Sequence, residues 1–410
     1  MVGSLIKPEI LAPAGSPEKL KFAIAYGADA VYLGGTGFGL RTAAATFDLT
    51  SMARAVKYAH SQGVRVYVAL NIFAHNRDIE ALPTYISELA GLGVDAVIVS
   101  DPGVLSLVRE LAPNLKIHIS TQANTTNWRS ARLWEELGAE RIVLARELSL
   151  EEIKTIGSHT GVELEVFVHG AMCVSYSGRC LLSNYMTGRG ANQGDCAQSC
   201  RWKYQLVEEK RPGEYFPVME DDRGTYILSS RDLCLLEHLP GLVEAGVTSF
   251  KIEGRVKSIH YVATITRVYR QALDAYWADP DNYCVRPEWL EEISKVSNRE
   301  YTTGFITGIR PGETPPVYSI YQRPYTFVGV VLGYDEQRSV LLLEQRNRFM
   351  RGETLEILTP GRETFALEVT EIIDLEGNSL EAAPHPRQTV YLPWPRPLPQ
   401  MSLLRRAEHV

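Results

Sequence analysis

The sequence lacks long apolar stretches and contains little cysteine. No apolar run approaches the roughly 18 residues that a membrane-spanning helix needs. The segment Met1–Pro8 lacks the basic and apolar parts of a secretion signal. We therefore expect a cytoplasmic protein without a membrane partner. Six cysteines in 410 residues are too few for a disulfide scaffold.

Positive charge is also scarce. The chain has 42 Lys and Arg against 49 Asp and Glu, a formal net charge of -7, and a pI near 5.8. The field of the whole molecule therefore repels polyanions. Any contact with a nucleic acid has to come from a local basic patch.

Short β-branched apolar runs alternate with segments of helical periodicity over the first 280 residues, a pattern typical of repeated βα units. Eight such runs begin at Glu9, Ala30, Arg65, Ala96, Lys116, Arg141, Glu163 and Ser249. Eight strands close a TIM-type barrel, so we predict a (β/α)8 barrel over residues 1–300. An open doubly wound sheet, which gives a similar pattern, is the alternative.

Two further regions depart from the βα pattern. An insertion over about 170–230 separates the seventh and eighth runs, and it is far longer than the usual 2–6 residues of a βα loop. We interpret residues 301–324 as a linker. Alternating runs and turn residues over 325–410 then predict a small antiparallel β-barrel domain.

Five of the six cysteines fall between Cys173 and Cys234, which in a reducing compartment indicates a metal site. Four thiolates are the usual ligands of a [4Fe-4S] cluster, and glycines in the insertion permit the sharp turns around it. The predicted ligands are Cys173, Cys180, Cys196 and Cys200. Cys234, on a predicted helix that starts at Arg231, is held in reserve. Structural zinc and inert thiols remain alternatives, because Cys196 and Cys200 have zinc-like spacing whereas Cys173 and Cys180 do not.

The segment 165–183 resembles the signature of peptidase family U32. The matching positions are Glu165, Phe167, Gly170, Ala171, Met172, Cys173, Gly178, Cys180, Leu182 and Ser183. Residues 11–16 and 251–258 extend the resemblance to about 7–280. The segments 176–183 and 192–202 are similar to the subgroup of the family that hydroxylates tRNA.

This resemblance implies an enzyme that forms 5-hydroxyuridine at the wobble position of tRNA. It also implies a [4Fe-4S] cluster, prephenate as the source of the hydroxyl group, and no use of molecular oxygen. The family name implies proteolysis instead, although the sequence has neither a Gly-x-Ser-x-Gly elbow nor a His-Glu-x-x-His helix. A non-catalytic iron–sulfur partner protein in a hydroxylation pathway is a third interpretation. The sequence does not identify an electron donor.

In a (β/α)8 barrel the active site lies at the carboxyl ends of the strands. Polar residues that follow the apolar runs give the candidates for catalysis, His169, Glu253 and Lys251, and for substrate binding, Arg146, Arg255, Asn71 and Gln122. Guanidinium groups bind carboxylates bidentately, which suits the two carboxylates of prephenate. The alternatives are that Arg146 pairs with Glu147 and Lys251 with Glu253. His169 fits either an acid–base role or a hydrogen-bonded scaffold.

Two segments combine basic and aromatic residues in a way that suits RNA. A wobble base can be splayed out and stacked on an aromatic ring while cations follow the backbone. Arg201 and Trp202 follow the last predicted ligand, and Arg346, Arg348 and Arg351 form a basic hairpin tip. Either segment fits an ordinary solvated turn as well.

Overall fold

The structure is a computed structural model of the 410-residue chain. It describes residues 6–39, 47–173, 175, 177, 179–193, 195–201, 219–221, 224–226, 231–308, 322–361 and 363–408.

The first domain is built on parallel strands. Its strands are β1 (Glu9–Pro13), β2 (Ala30–Gly34), β3 (Arg65–Leu70), β4 (Ala96–Val99), β5 (Lys116–Ile119), β6 (Arg141–Val143), β7 (Glu163–Ala171), β8 (Met219–Asp221), β9 (Gly224–Tyr226), β10 (Asp232–Cys234), β11 (Val247–Ile252) and β12 (Tyr301–Thr302). Strands β1 to β7 pair in sequence order, and β11 pairs in parallel with both β7 and β1. This closed ring of eight strands confirms the predicted barrel and excludes the open sheet.

Helices surround the ring. They are α1 (Pro17–Ala25), α2 (Leu49–Ser61), α3 (Asn76–Leu92), α4 (Pro102–Leu111), α5 (Trp128–Glu136), α6 (Leu150–His159), α7 (Leu182–Thr187), α8 (Leu239–Glu244), α9 (Ile259–Ala278) and α10 (Pro287–Ser294). Side-chain oxygens accept hydrogen bonds from the first-turn N–H groups of several of them, as Ser16 does for α1 and Ser149 for α6. Apart from α7, which lies in the insertion after β7, their apolar faces pack on the strands in one continuous core. No helix among the described residues is both long and apolar enough to cross a membrane.

The seventh strand is longer than predicted. It continues through His169 to Ala171, and β10 pairs antiparallel with this extension, placing Cys234 opposite His169. The predicted helix around Cys234 is therefore wrong, since Asp232–Cys234 is a strand and helical structure begins only at Leu236. Backbone pairing with β7, which is distant in sequence, decides the conformation of this segment.

Part of the predicted linker belongs to the barrel domain. Strand β12 pairs with β10, and Ile306 is buried in the barrel core with its carbonyl oxygen accepting from the N–H of Leu150. Residues 301–306 therefore pack with the barrel domain. Residues 309–321 lie outside the described part of the chain.

The second domain is antiparallel, as predicted. Its strands are β13 (Tyr325–Asp335), β14 (Val340–Gln345), β15 (Phe349–Met350), β16 (Thr354–Leu358), β17 (Thr364–Glu368), β18 (Ile372–Ile373), β19 (Ser379–Leu380), β20 (Ala382–Ala383), β21 (Thr389–Pro393) and β22 (Leu403–Ala407). Eight of them form one sheet in the order β17-β16-β22-β13-β14-β21-β18-β19 over a single apolar core. In the described residues no pairing joins β17 to β19, so the sheet keeps two edges and its closure into a barrel stays a prediction.

The two domains share a buried interface. The hydroxyl of Tyr26 on α1 donates to the carbonyl oxygens of Leu358 and Met401 at 2.9 and 3.0 Å. Arg405 on β22 is fully buried and donates to the carboxylate of Glu292 on α10 at 2.7 Å. The antiparallel domain is therefore fixed against α1, α9 and α10, on the outside of the barrel.

Candidate active site at the barrel mouth

A buried layer of charge lies inside the barrel below its mouth. The Nζ of Lys251 on β11 donates to Glu165 Oε1 on β7 at 2.6 Å, and Arg141 Nη1 donates to Glu165 Oε2 at 3.2 Å. Arg141 also pairs with Glu9 at the start of β1. Glu165, Lys251, Arg141 and Glu9 are all buried. Two cations and two carboxylates thus neutralise each other, as buried charges require.

This arrangement sets the protonation of Lys251 and Glu165. Burial raises the pKa of Glu165, but the attraction of Lys251 and Arg141 outweighs it, so its pKa lies below the ordinary value. Burial lowers the pKa of Lys251, and Glu165 offsets only part of that effect. The predicted pairing of Lys251 with Glu253 is thus replaced by a pairing with Glu165 across two strands.

Arg146 and Arg255 lie at the mouth, half-buried, on opposite sides of Lys251. Arg146 donates from Nη1 to the carbonyl oxygen of Ala171 at 2.7 Å, and its guanidinium lies 3.9 Å from the centre of the Phe167 ring. The Arg255 guanidinium lies against Gly34 at the end of β2, where a Cβ atom would collide with it. Both arginines therefore point into the region that the sequence predicted.

The turn that carries Gly15 supports Arg255 from below. A Cβ atom at position 15 would collide with the Arg255 carbonyl oxygen, so only glycine fits there. The same carbonyl accepts from Lys19 Nζ at 3.0 Å. The start of α1 therefore holds the backbone of the loop that follows β11, the eighth strand of the barrel.

The other predicted mouth residues occupy neighbouring loops. Asn71, after β3, donates to Ser120 Oγ at 3.1 Å. Gln122 lies in a 3-10 helix, Thr121–Ala123, that follows β5. Glu253 is buried after β11, and its N–H donates to the His169 carbonyl oxygen at 2.8 Å. All of these residues follow barrel strands at the same end of the barrel.

The cysteine-bearing excursion, residues 172–231, contacts the loops of this mouth. Ser177 donates from its N–H to Glu147 Oε1 at 2.9 Å, and Thr121 Oγ1 lies 3.4 Å from Ser177 Oγ. The Phe73 N–H donates to the Asn192 carbonyl oxygen at 2.9 Å. The described part of the excursion therefore contacts the loops that follow β3, β5 and β6, and Glu147 serves to anchor it.

Inside the excursion, Ser183 ties the short helix α7 to the segment that carries Cys196. Its buried hydroxyl donates to the Arg189 carbonyl oxygen at 2.8 Å and accepts from the Ala197 N–H at 2.9 Å. The outer side of α7 exposes three large apolar side chains: Leu181 at 74%, Tyr185 at 87% and Met186 at 40%. We call these three residues the α7 patch.

The four predicted cluster ligands lie on this excursion, and none of them forms a disulfide. Cys173 and Cys196 are exposed, whereas Cys180 and Cys200 are half-buried. Their chemistry matches the donor set of an iron–sulfur cluster. However, within the described residues no three His, Cys, Asp or Glu side chains lie close enough to hold a metal ion. The ligand set stays a prediction.

Cys234 lies apart, on β10. The hydroxyl of Tyr269 donates to its Sγ at 3.8 Å, and burial raises the pKa of the thiol. A small buried thiol beside a tyrosine is an ordinary packing residue. The structure thus gives Cys234 surroundings unlike those of the four cysteines on the excursion.

His169 is enclosed by aromatic rings. It is 1% exposed, and the rings of Tyr261, Tyr269 and Tyr301 lie 5.2 to 6.0 Å from its own. Burial lowers its pKa to about 3, so the imidazole is neutral at physiological pH. This environment favours the scaffold role over acid–base catalysis.

The structure describes the side chains of only one of the two predicted RNA-binding segments, the hairpin tip at 346–351. Only the backbone of Arg201 is described, and Trp202 lies outside the described residues. Arg348 is exposed, Arg351 pairs with Glu381 at 3.2 Å, and Arg346 pairs with Glu18 of α1. Arg346 therefore helps to dock the two domains.

Sequence reasoning missed several residues that organise the site. Glu165 and Ser183 were recognised only as matching positions, because their partners are on distant segments. Ser177 and the α7 patch were not identified. The signal for the patch was present as two apolar pairs, Leu181-Leu182 and Tyr185-Met186, in a segment too short to form a core helix.

These features define a class of protein: a (β/α)8 barrel with cations at its mouth, a cysteine-bearing excursion over that mouth, and a docked antiparallel domain. The sequence profile of peptidase family U32 matches residues 15–314, and that of the peptidase family U32 C-terminal domain matches residues 323–405. The chain belongs to peptidase family U32.

Individual relatives have names that are more specific than the family name. A tRNA hydroxylation protein of Bacillus subtilis is 43% identical over 404 residues, covering 98% of this chain and 95% of the relative. A tRNA hydroxylation protein of Escherichia coli is 36% identical, covering 96% of this chain and 95% of the relative. A 23S rRNA 5-hydroxycytidine synthase of Escherichia coli is 42% identical over 273 residues, covering 65% of this chain and 39% of the relative.

Proposed function

We propose that the chain is a tRNA-modifying enzyme that hydroxylates the wobble uridine at C5 to give 5-hydroxyuridine. The observation that carries this proposal is the similarity to tRNA hydroxylation proteins over both domains, including the excursion within the first. The similarity to a 5-hydroxycytidine synthase of ribosomal RNA supports the same reaction class, because C5 is the equivalent ring position of a pyrimidine. The reaction takes its hydroxyl group from prephenate rather than from molecular oxygen.

The mouth supplies the groups that a dicarboxylate co-substrate needs. Arg146 and Arg255 are half-buried cations on opposite sides of it, with planar guanidinium groups that suit carboxylates. Lys251 adds a third positive charge, held from below by Glu165. These residues bind and orient the co-substrate in a site that the excursion shields from water.

Cys173, Cys180, Cys196 and Cys200 hold a [4Fe-4S] cluster in this proposal. When bound, such a cluster supplies one-electron chemistry beside the mouth. The support is the chemistry of four cysteines on one excursion whose backbone is tied to the mouth through Ser177. The residues of the chain position these thiols, with Ser183 holding the Cys196 segment against α7.

The tRNA is expected to approach from the side of the excursion, because the excursion borders the mouth and exposes apolar and basic side chains. Tyr185 of the α7 patch presents an exposed ring on which an unstacked base can pack. Exposed Arg179 and Arg348 supply positive charge for the phosphates, with Arg201 and Trp202 as further contacts that the sequence suggests.

Nucleoside analysis tests the function directly. Total tRNA from cells without the gene is digested and compared by mass spectrometry with tRNA from cells that carry it. We expect 5-hydroxyuridine and its derivatives to disappear and to return with the wild-type gene, in aerobic and in anaerobic culture. Normal 5-hydroxyuridine in the deletion strain contradicts the proposal, and restoration by Arg146→Ala, Arg255→Ala protein contradicts the co-substrate site.

Iron content tests the cluster separately. Protein purified without oxygen is expected to be coloured and to hold about four iron atoms per chain, the content of one cluster. Each single substitution Cys173→Ala, Cys180→Ala, Cys196→Ala or Cys200→Ala is expected to lower the iron content. Cys284→Ala, an exposed thiol outside the excursion, is the matched control. A colourless wild-type protein, or full iron in Cys200→Ala, contradicts this assignment.

A further inference from the structure

Two aromatic rings separate the three cations of the mouth. The Arg146 guanidinium lies 3.9 Å from the centre of the Phe167 ring, and Lys251 Nζ lies 5.3 Å from the same ring. Lys251 Nζ also lies 4.6 Å from the centre of the Tyr32 ring, and the Arg255 guanidinium lies 6.0 Å from it. Cations and rings therefore alternate across the mouth in the order Arg146, Phe167, Lys251, Tyr32, Arg255.

Both rings are fixed by the barrel itself. Tyr32 on β2 is buried, and its hydroxyl donates to the Ile252 carbonyl oxygen on β11 at 3.0 Å. Phe167 on β7 is buried as well. Since Lys251 is held by Glu165 at 2.6 Å, it cannot move toward either arginine without losing a buried ion pair.

Three cations this close together repel one another, most strongly where water is excluded. The face of an aromatic ring is electron-rich and attracts a cation placed over it. Rings that lie between the cations therefore offset part of the repulsion between them. Because the strands fix the rings, the rings also fix the distances between the cations. Aliphatic side chains of similar size would fill the space without providing that attraction.

We propose that Tyr32 and Phe167 are positioning residues that hold Arg146, Lys251 and Arg255 at the spacing required for a small dicarboxylate, with one carboxylate toward each arginine. This inference rests on the proposed function, in which the mouth binds a dicarboxylate co-substrate. The inference also explains how the mouth prefers a ligand with two carboxylates over a ligand with one. Arginines that were free to separate would bind each carboxylate on its own and would lose that preference.

Calorimetric binding of two probes to the purified full-length protein tests the inference. Prephenate carries two carboxylates, and phenylpyruvate is a ring-bearing relative with one. We expect the wild-type protein to bind prephenate more tightly than phenylpyruvate. Tyr32→Leu and Phe167→Leu are each expected to weaken prephenate binding about tenfold, with a smaller effect on phenylpyruvate.

Two further variants separate positioning from general structure. Tyr32→Phe removes the hydroxyl but keeps the ring, so it is expected to retain most of the preference for prephenate. Tyr58→Leu is a matched control, because the Tyr58 ring lies 5.5 Å from Lys21 Nζ on the helices outside the barrel. It is expected to change neither affinity. Phe167→Met, which conserves volume better, replaces Phe167→Leu if thermal melting shows that the latter is unfolded.

The outcomes distinguish this inference from the function on which it rests. If the wild-type protein prefers prephenate and the folded leucine variants keep the same preference, the positioning role is overturned while the proposed function stands. If Tyr32→Phe loses as much affinity as Tyr32→Leu, the hydroxyl rather than the ring matters, and the inference is also overturned. If the wild-type protein binds prephenate no more tightly than phenylpyruvate, the dicarboxylate assignment and this inference fail together.

Discussion

Replacing Glu165 with glutamine should destabilise the barrel strongly, because this carboxylate is fully buried between two cations. It accepts from Lys251 at 2.6 Å, from Arg141 at 3.2 Å and from Ser249 Oγ at 3.1 Å. Removing one partner of a buried ion pair costs about 3–5 kcal/mol, because the other charge stays buried without compensation. At about 2–4 °C per kcal/mol for a large domain, that corresponds to a fall in Tm of about 6–20 °C.

Thermal melts of Glu165→Gln and of a surface control measure this effect. Glu140→Gln removes an ion pair with Lys116 at 3.0 Å in which both side chains are more than half exposed. Exposed pairs contribute about 0–1 kcal/mol, so the control should melt within about 3 °C of the wild type. Equal Tm values for Glu165→Gln and Glu140→Gln would refute the idea that the charge layer supports the mouth.

The loss of stability caused by Glu165→Gln should depend on pH. The pKa of Glu165 in the folded protein lies below its ordinary value of 4.5, because Lys251 and Arg141 outweigh the effect of burial. Its contribution to stability is therefore complete above pH 4.5 and is lost as the pH falls through the folded pKa. The difference in Tm between the wild type and Glu165→Gln should be constant near neutral pH and should shrink in acid. A difference that grows in acid would contradict the assignment.

Three further predictions concern the domain interface and RNA binding. Burial lowers the pKa of His260 to about 3, so stability should fall as the pH drops from 6.5 toward 3, and His260→Phe should flatten the slope of Tm against pH in that window. Tyr185→Ala should weaken tRNA binding in a filter assay by about 1–3 kcal/mol without changing the Tm, whereas Tyr185→Phe should bind normally. Arg346→Gln should lower the Tm by removing the ion pair with Glu18, whereas Arg348→Gln should reduce the salt dependence of tRNA binding and leave the Tm unchanged. An unchanged slope for His260→Phe would contradict the first prediction. Equal effects of the two Tyr185 variants, or of Arg346→Gln and Arg348→Gln, would contradict the other two.

The barrel could be predicted from the sequence because its signals are local. Each strand is a short β-branched run, and each is followed by a helix with its own cap, as at Ser149 before α6. The count of eight strands then supplies the topology. The same local signals indicate which residues follow each strand, and Asn71, Arg146 and Arg255 do follow β3, β6 and β11 at one end of the barrel.

Features that depend on distant pairing could not be predicted in this way. Residues 231–239 contain apolar positions that suit a helix, yet β7 is available as a pairing partner and Asp232–Cys234 becomes a strand. The partner of Lys251 is Glu165, 86 residues earlier, rather than the neighbouring Glu253. Sequence proximity suggested the wrong ion pair because side chains on adjacent barrel strands meet irrespective of their separation along the chain.

The position of the charge layer explains how the mouth can hold several cations before any ligand arrives. Lys251 is fixed from below by Glu165, and Arg146 is fixed by the Ala171 carbonyl oxygen. Because folding has already oriented these groups, a bound anion meets positive charge that needs little rearrangement, which is the condition for strong electrostatic stabilisation in a protein site. A flexible lysine at position 251 could follow the ligand instead, and the mouth would then lose its geometric preference. In the proposed function, the buried carboxylate of Glu165 therefore supports the selectivity of the mouth without contacting the ligand, because it fixes Lys251 in place.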